Sequence, residues 1–164
     1  DSRFGSPVRG FSPGGGALGG GGFFTAPVDH ATLILMSDDG FNEQQVERAL
    51  AGVRNICLGL PEVSERLSHS APSFFIRQKK TLAMFHDDHH GDGELGIWCP
   101  APRGVQAELV ETQPDRFYVP AYVGHRGWLG MRLDRDPDWD EVAGVLVEAY
   151  RTVAPKKLVA ELDA

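Results

Sequence analysis

Two apolar runs, Ser73 to Arg77 with its Phe74-Phe75-Ile76 core and Thr81 to Phe85, stand only three polar residues apart. Gln78-Lys79-Lys80 between them is too short for a crossover, since a parallel return needs a dozen residues or more. The two runs therefore predict an antiparallel hairpin, and the chain around them is built to the same plan. Arg66 to Ser68 is a further short strand, and Glu94 to Trp98 follows after the polar loop His86 to Gly93. Phe117 to Val123 and Trp128 to Leu133 predict a second hairpin around His125-Arg126-Gly127.

Helical periodicity brackets these strands. Asn42 stands at a cap with Gln45 three residues on, in capping-box position, and Val46, Ala49, Leu50, Val53, Cys57 and Leu60 recur at helical spacing. Gly59 and Pro61 end that helix. Pro100 and Pro102 introduce a short helix carrying Val105, Leu109 and Val110, which Pro114 stops. Asp138 caps a last helix with Glu141 three residues on; Val142, Val145, Leu146, Ala149 and Val153 form its stripe, and Pro155 ends it. Hairpin-linked strands between helices predict an α+β domain of two layers, an antiparallel sheet with helices packed on one face.

The domain is expected over residues 38–158, with 159–164 as a C-terminal tail. Residues 1–37 differ in kind. The first 35 hold nine of the 20 glycines and prolines at 7, 13 and 27, too little apolar surface to offset the entropy of ordering. They are expected to be a flexible leader, with Met36-Ser37-Asp38-Asp39 resembling a natural start. Gly14, Gly16 and Gly19 satisfy G-x-G-x-x-G, but the strand and helix that a dinucleotide site requires are missing around them.

The matching of several short motifs in order and spacing is more informative than any one of them. Leu60-Pro61-Glu62-Val63 follows the first helix, and Ser68-His69-Ser70-Ala71-Pro72-Ser73-Phe74 precedes the hairpin. Lys79-Lys80 leads to Leu82-Ala83-Met84-Phe85, then Pro120-Ala121-Tyr122, Gly127-Trp128-Leu129, and Arg132-Leu133-Asp134. Glu148-Ala149-Tyr150-Arg151 and Val153-Ala154-Pro155 close the series. Over about residues 42 to 158 the chain resembles the MmcQ/YjbR family. That resemblance implies a fold like the bacterial frataxin homologue CyaY, a role in DNA binding through two wing-like hairpins, and no catalytic residues.

Under that reading the wings would carry Arg77, Lys79 and Lys80 at the first hairpin and His125 and Arg126 at the second, with Arg103 nearby. Cationic side chains on a β-ribbon neutralise phosphates or enter a groove. The net charge of −7 runs the other way, since nucleic-acid binders usually carry a basic excess. Exposed turn lysines also protect sheet edges from aggregation. DNA binding is the first functional expectation. The second is a small-ligand or protein-interaction module using a cleft near Ser68, His69, Tyr122 and Trp128. The third is metal or iron handling by analogy with frataxin-like folds.

Other constellations are weaker. Ser68-His69-Ser70 lacks the G-x-S-x-G elbow, and Ser68 and His69, as adjacent strand residues, would face opposite ways. His86, Asp87, Asp88, His89, His90, Asp92 and Glu94 have ligand chemistry but no fixed geometry. Asp38, Asp39, Glu43 and Glu47 fit the positive end of a helix dipole. Trp98 and Trp128 are expected on strands, in the core or lining a cleft, and Trp139 as a staple between the last helix and the sheet. Cys57 and Cys99 form no C-x-x-C pair, Asp29 and His30 interrupt the one stretch resembling a signal peptide, and no apolar run approaches membrane length. The expectation is a cytoplasmic, non-enzymatic protein with no cofactor and no dedicated metal site. Removing residues 1–35 should then leave the thermal midpoint essentially unchanged. A fall of many degrees in a chain starting at Met36 would show that the leader packs on the domain.

Overall fold

The computed structural model describes residues 41–87 and 94–164. The first helix, α1, is Glu43–Cys57, and the Asn42 side chain caps it by accepting from the Gln45 amide at 2.7 Å. Only half of the expected capping box forms, because the Gln45 side chain donates instead to the Asp134 carbonyl at 3.2 Å. Strands β1 (Val63–Ser68), β2 (Ala71–Ile76), β3 (Lys80–Asp87) and β4 (Leu95–Cys99) follow. Then come α2 (Val105–Thr112), β5 (Phe117–Tyr118), a 3₁₀ turn at Gly124–Arg126, β6 (Leu129–Arg132), α3 (Trp139–Val153) and α4 (Lys156–Leu162). The six strands form one sheet in the order β1-β2-β3-β4-β6-β5, antiparallel at every pairing. The α+β expectation holds.

The pleat sorts the side chains. Phe74, Ile76, Phe85, Ile97, Leu129 and Met131 face the helices and make the core with Val53 and Cys57 of α1, Leu146 and Ala149 of α3, and Leu158 of α4. Tyr150 is fully buried there and donates its hydroxyl to the Pro61 carbonyl at 2.8 Å, tying α3 to the turn after α1. Alternate positions look the other way. Phe75 and Trp98 are buried but stand outside that core.

Four expectations need correction. β1 begins at Val63, three residues before the anticipated strand, because it pairs along its whole length with β2, from Val63↔Ile76 to Ser68↔Ala71. The second hairpin is barely one: β5 has two residues, and the chain from Val119 to Trp128 runs as turns and the 3₁₀ segment. Trp128 therefore lies just before a strand rather than on it. The residues expected as a tail continue the domain, since Pro155 starts α4, Leu158 is fully buried and Leu162 packs on the core. Trp139 does not staple α3 to the sheet; its ring lies on Gly52 of α1, where any Cβ would come within 2.5 Å of it. The glycine-rich leader and its G-x-G-x-x-G run lie outside the described residues. No described helix is long and apolar enough to cross a membrane.

Both cysteines are fully buried in the core. Burial pushes the Cys99 thiol from an ordinary 9.0 up to about 12, and raises Cys57 as well. The thiols stay protonated in the folded chain at a pH where the unfolded chain would ionise them. Their contribution to stability is therefore intact below about pH 9 and falls away as pH climbs toward 12. Neither should react with a thiol-specific disulfide reagent near neutral pH until the protein unfolds. Rapid labelling of the native chain would contradict this placement.

Candidate ligand cleft on the open sheet face

The sheet face turned away from the core carries Ser73 and Phe75 on β2, Met84 and His86 on β3, Gly96 and Trp98 on β4, Gly130 and Arg132 on β6, and Tyr118 on β5. The register sets this order, with Ser73 opposite Met84, Met84 opposite Trp98, and Trp98 opposite Gly130. Two glycines decide what happens at the β5 side. A Cβ on Gly130 would come within 2.4 Å of the Tyr118 ring, and one on Gly96 within 2.3 Å of the Met131 carbonyl oxygen and 3.1 Å of the Tyr118 hydroxyl. The phenol thus lies across bare backbone, and its oxygen accepts from the Trp98 indole N–H at 3.0 Å. Burial is the main force raising the Tyr118 pKa, and the neighbouring Glu94 carboxylate adds to it. Arg132 stands over the same ring at 5.2 Å and pairs with Glu94 at 3.6 Å. On the far side Arg66 covers Phe75 at 3.9 Å.

Between these flanks is a hollow of about 400 Å³. Ala71, Met84, His86 and Trp98 form its floor; His69, Tyr122 and Val123 form its rim. The His86 ring stacks on the Trp98 indole with centroids 3.6 Å apart and planes at 28°. His69 reaches the rim because β1 and β2 join through a two-residue turn, His69-Ser70, with φ of 51° and 66°. Both positive angles give the tight twist that suits a hairpin, although glycine and asparagine usually fill such positions. Tyr122 also has a positive φ, 63°, and is 88% exposed. Its loop is held from behind by α2, whose Gln106 side chain donates to the carbonyls of Gly124 at 2.8 Å and Trp128 at 2.5 Å.

Of the four cleft residues expected from sequence, the structure brings His69 and Tyr122 together. Ser68 is one step away, paired across the strands with the floor residue Ala71. Trp128 does not line the hollow; its carbonyl serves the Gln106 anchor. His69 lies in a turn, so the strand argument that separated it from Ser68 does not apply. Sequence reasoning missed Ala71, Met84, His86 and Val123, and it left Trp98 between core and cleft. Period-two alternation along Met84-Phe85-His86 carries the signal, but in sequence His86 runs straight into the acidic loop that follows.

The basic residues divide differently. Arg77 at the first hairpin is ion-paired with Glu62. Lys79, Lys80, Arg103, His125 and Arg126 are exposed. His125 and Arg126 do not sit on a protruding β-ribbon, because β5 is too short and Gln106 pins the connection back. Asp38, Asp39, Asp88, His89, His90 and Asp92 lie outside the described residues. Glu43 and Glu47 are exposed on α1. Among the described residues no group of three side chains is placed to hold a metal ion.

A six-stranded antiparallel sheet with helices on one face and an aromatic hollow on the other defines a small α+β domain. The YjbR family model matches residues 58–152, more than half of the chain, and the chain belongs to that family. Among solved structures it is similar to the Deinococcus radiodurans protein DR2400, described with the domain DUF419. That likeness has a TM-score of 0.56 at 16% identity, over 70% of this chain and 87% of the other, and it carries the fold alone. No curated protein matches the sequence. The likeness to CyaY rests on the sequence resemblance only.

Gly130→Ala should force the Tyr118 ring off the sheet and cost about 1–3 kcal/mol in chemical denaturation. The loss should shrink when Tyr118→Ala is combined with it. An undiminished loss in the double variant would show that the ring contact is not the reason for glycine.

Proposed function

We propose that this YjbR-family chain is a non-enzymatic binding module that takes a small, largely apolar molecule into the hollow on its open sheet face. The observation that carries this reading is the hollow itself. Its volume of about 400 Å³ is in the range of small-molecule sites, and its lining is apolar and aromatic with two histidines as the polar groups. The floor belongs to regular strands and the rim to pinned turns, so the shape is present before a ligand arrives.

Nucleic-acid contact is the second reading, favoured by the exposure of Lys79, Lys80 and Arg126 and by the family resemblance. The net charge of −7 and the pairing of Arg77 with Glu62 weigh against it.

One pair of variants separates the two. Ala71→Leu fills the hollow and should abolish the thermal stabilisation given by hits from a small-molecule screen, while leaving the unliganded midpoint nearly unchanged. Lys79→Ala with Lys80→Ala should leave those hits untouched. Duplex binding at low salt that the lysine pair removes, with a salt slope about 2 units smaller, would favour nucleic acid instead.

A further inference from the structure

We infer that the molecule the hollow selects is a planar, uncharged aromatic ring system, gripped between the stacked His86–Trp98 pair on the floor and the Tyr122 ring at the mouth. This rests on the ligand-cleft reading above and narrows it. Three aromatic systems, His86, Trp98 and Tyr122, converge on one hollow. The orientation of Trp98 is fixed twice, by the His86 ring stacked on it and by the hydrogen bond from its indole nitrogen to Tyr118. With that donor committed and the His86 ring stacked on the buried indole, the floor presents the His86–Trp98 pair as one aromatic surface rather than a polar handle. A merely greasy pocket needs no indole locked in one plane, since the hydrophobic effect is non-directional. Stacking does, because aromatic pairs gain only in particular offsets and tilts.

Tyr122 supplies the second surface. The φ of 63° at Tyr122 closes a tight turn in which the Val123 amide donates to the Ala121 carbonyl at 2.7 Å, and the turn leaves the ring 88% exposed. Left-handed backbone at a bulky residue is strained, and such strain gathers at ligand clamps. Here the anchored loop imposes that conformation and sets the ring at the edge of the hollow. Met84 adds a thioether, which packs well against aromatic edges. No acidic side chain, lysine or arginine is among the lining residues, so the part of the ligand that enters carries no charge needing a partner.

The test compares 2-naphthol with its saturated counterpart decahydro-2-naphthol, which is of similar size but not planar. Each is titrated into the full chain while the ¹H–¹⁵N resonance of the Trp98 indole is followed by NMR. The planar probe should shift that resonance and bind several-fold more tightly than the saturated one. Tyr122→Ala should weaken the planar probe by roughly three- to tenfold. Tyr122→Phe should keep the wild-type affinity. Tyr122→Gly, which suits a positive φ, should preserve or raise the thermal midpoint while losing affinity as Tyr122→Ala does. Equal binding of the two probes would overturn the aromatic selectivity and leave the cleft reading standing. If neither probe moved the Trp98 signal, both would fall. Affinity unchanged in Tyr122→Ala would remove the tyrosine from the grip.

Discussion

A strand in a sheet can hide only every second residue beneath a layer of helices, and the rest of this molecule follows from how the other half is treated. On β2 to β6 the core-facing residues are those expected of any small domain, Phe74, Ile76, Phe85, Ile97 and Met131 among them. Among the described residues the opposite face carries no helix, yet Phe75 and Trp98 on it are buried. Exposed apolar area of that kind has to be covered locally or used. The chain covers its two flanks with its own side chains, Arg66 over Phe75 and the Tyr118–Arg132 stack over Gly130 and Gly96. The centre is left as a hollow.

The flanking devices differ in kind. Arg66 lays a flexible guanidinium on a ring, an arrangement that solvent can compete with. Tyr118 is built in more firmly, since its ring lies on Gly130, its hydroxyl takes the indole donor of Trp98, and the Glu94 carboxylate stands beside it. The interaction that seals one flank is therefore also the one that orients the floor of the hollow. A change at Gly130 acts on a site that it does not touch.

Much of the fold was legible because its signals are local. The Asn42 and Asp138 caps, the helical stripes and the β2–β3 hairpin all depend on residues a few positions apart. What escaped depends on distant partners. β1 gains its first three residues only by pairing with β2, and α4 holds only because Leu158 and Leu162 find the core. The site was legible in halves. His69 and Tyr122 were named, but they meet Trp98 and His86 through sheet register, which no spacing in the chain reveals. Trp128 was named for its type, and the Gln106 anchor that fixes its role is a contact across 22 positions.

The backbone gives an independent view of the same site. Seven described residues other than glycine have positive φ, and two of them, His69 and Tyr122, stand on the rim of the hollow. Arg77 and Gln78 are explained by their hairpin turn, where two left-handed residues match the twist of the strands. His69 and Ser70 have the same explanation. Tyr122 does not, for it joins no hairpin of that type, and its strain is imposed by a loop tied back through Gly124 and Trp128. Backbone hydrogen bonds from Val123 to Ala121 and from Gly124 to Pro120 hold that turn, while the ring above it is almost wholly exposed. If the hollow takes an aromatic ligand as proposed, the same turn holds that ring where it can cover the ligand.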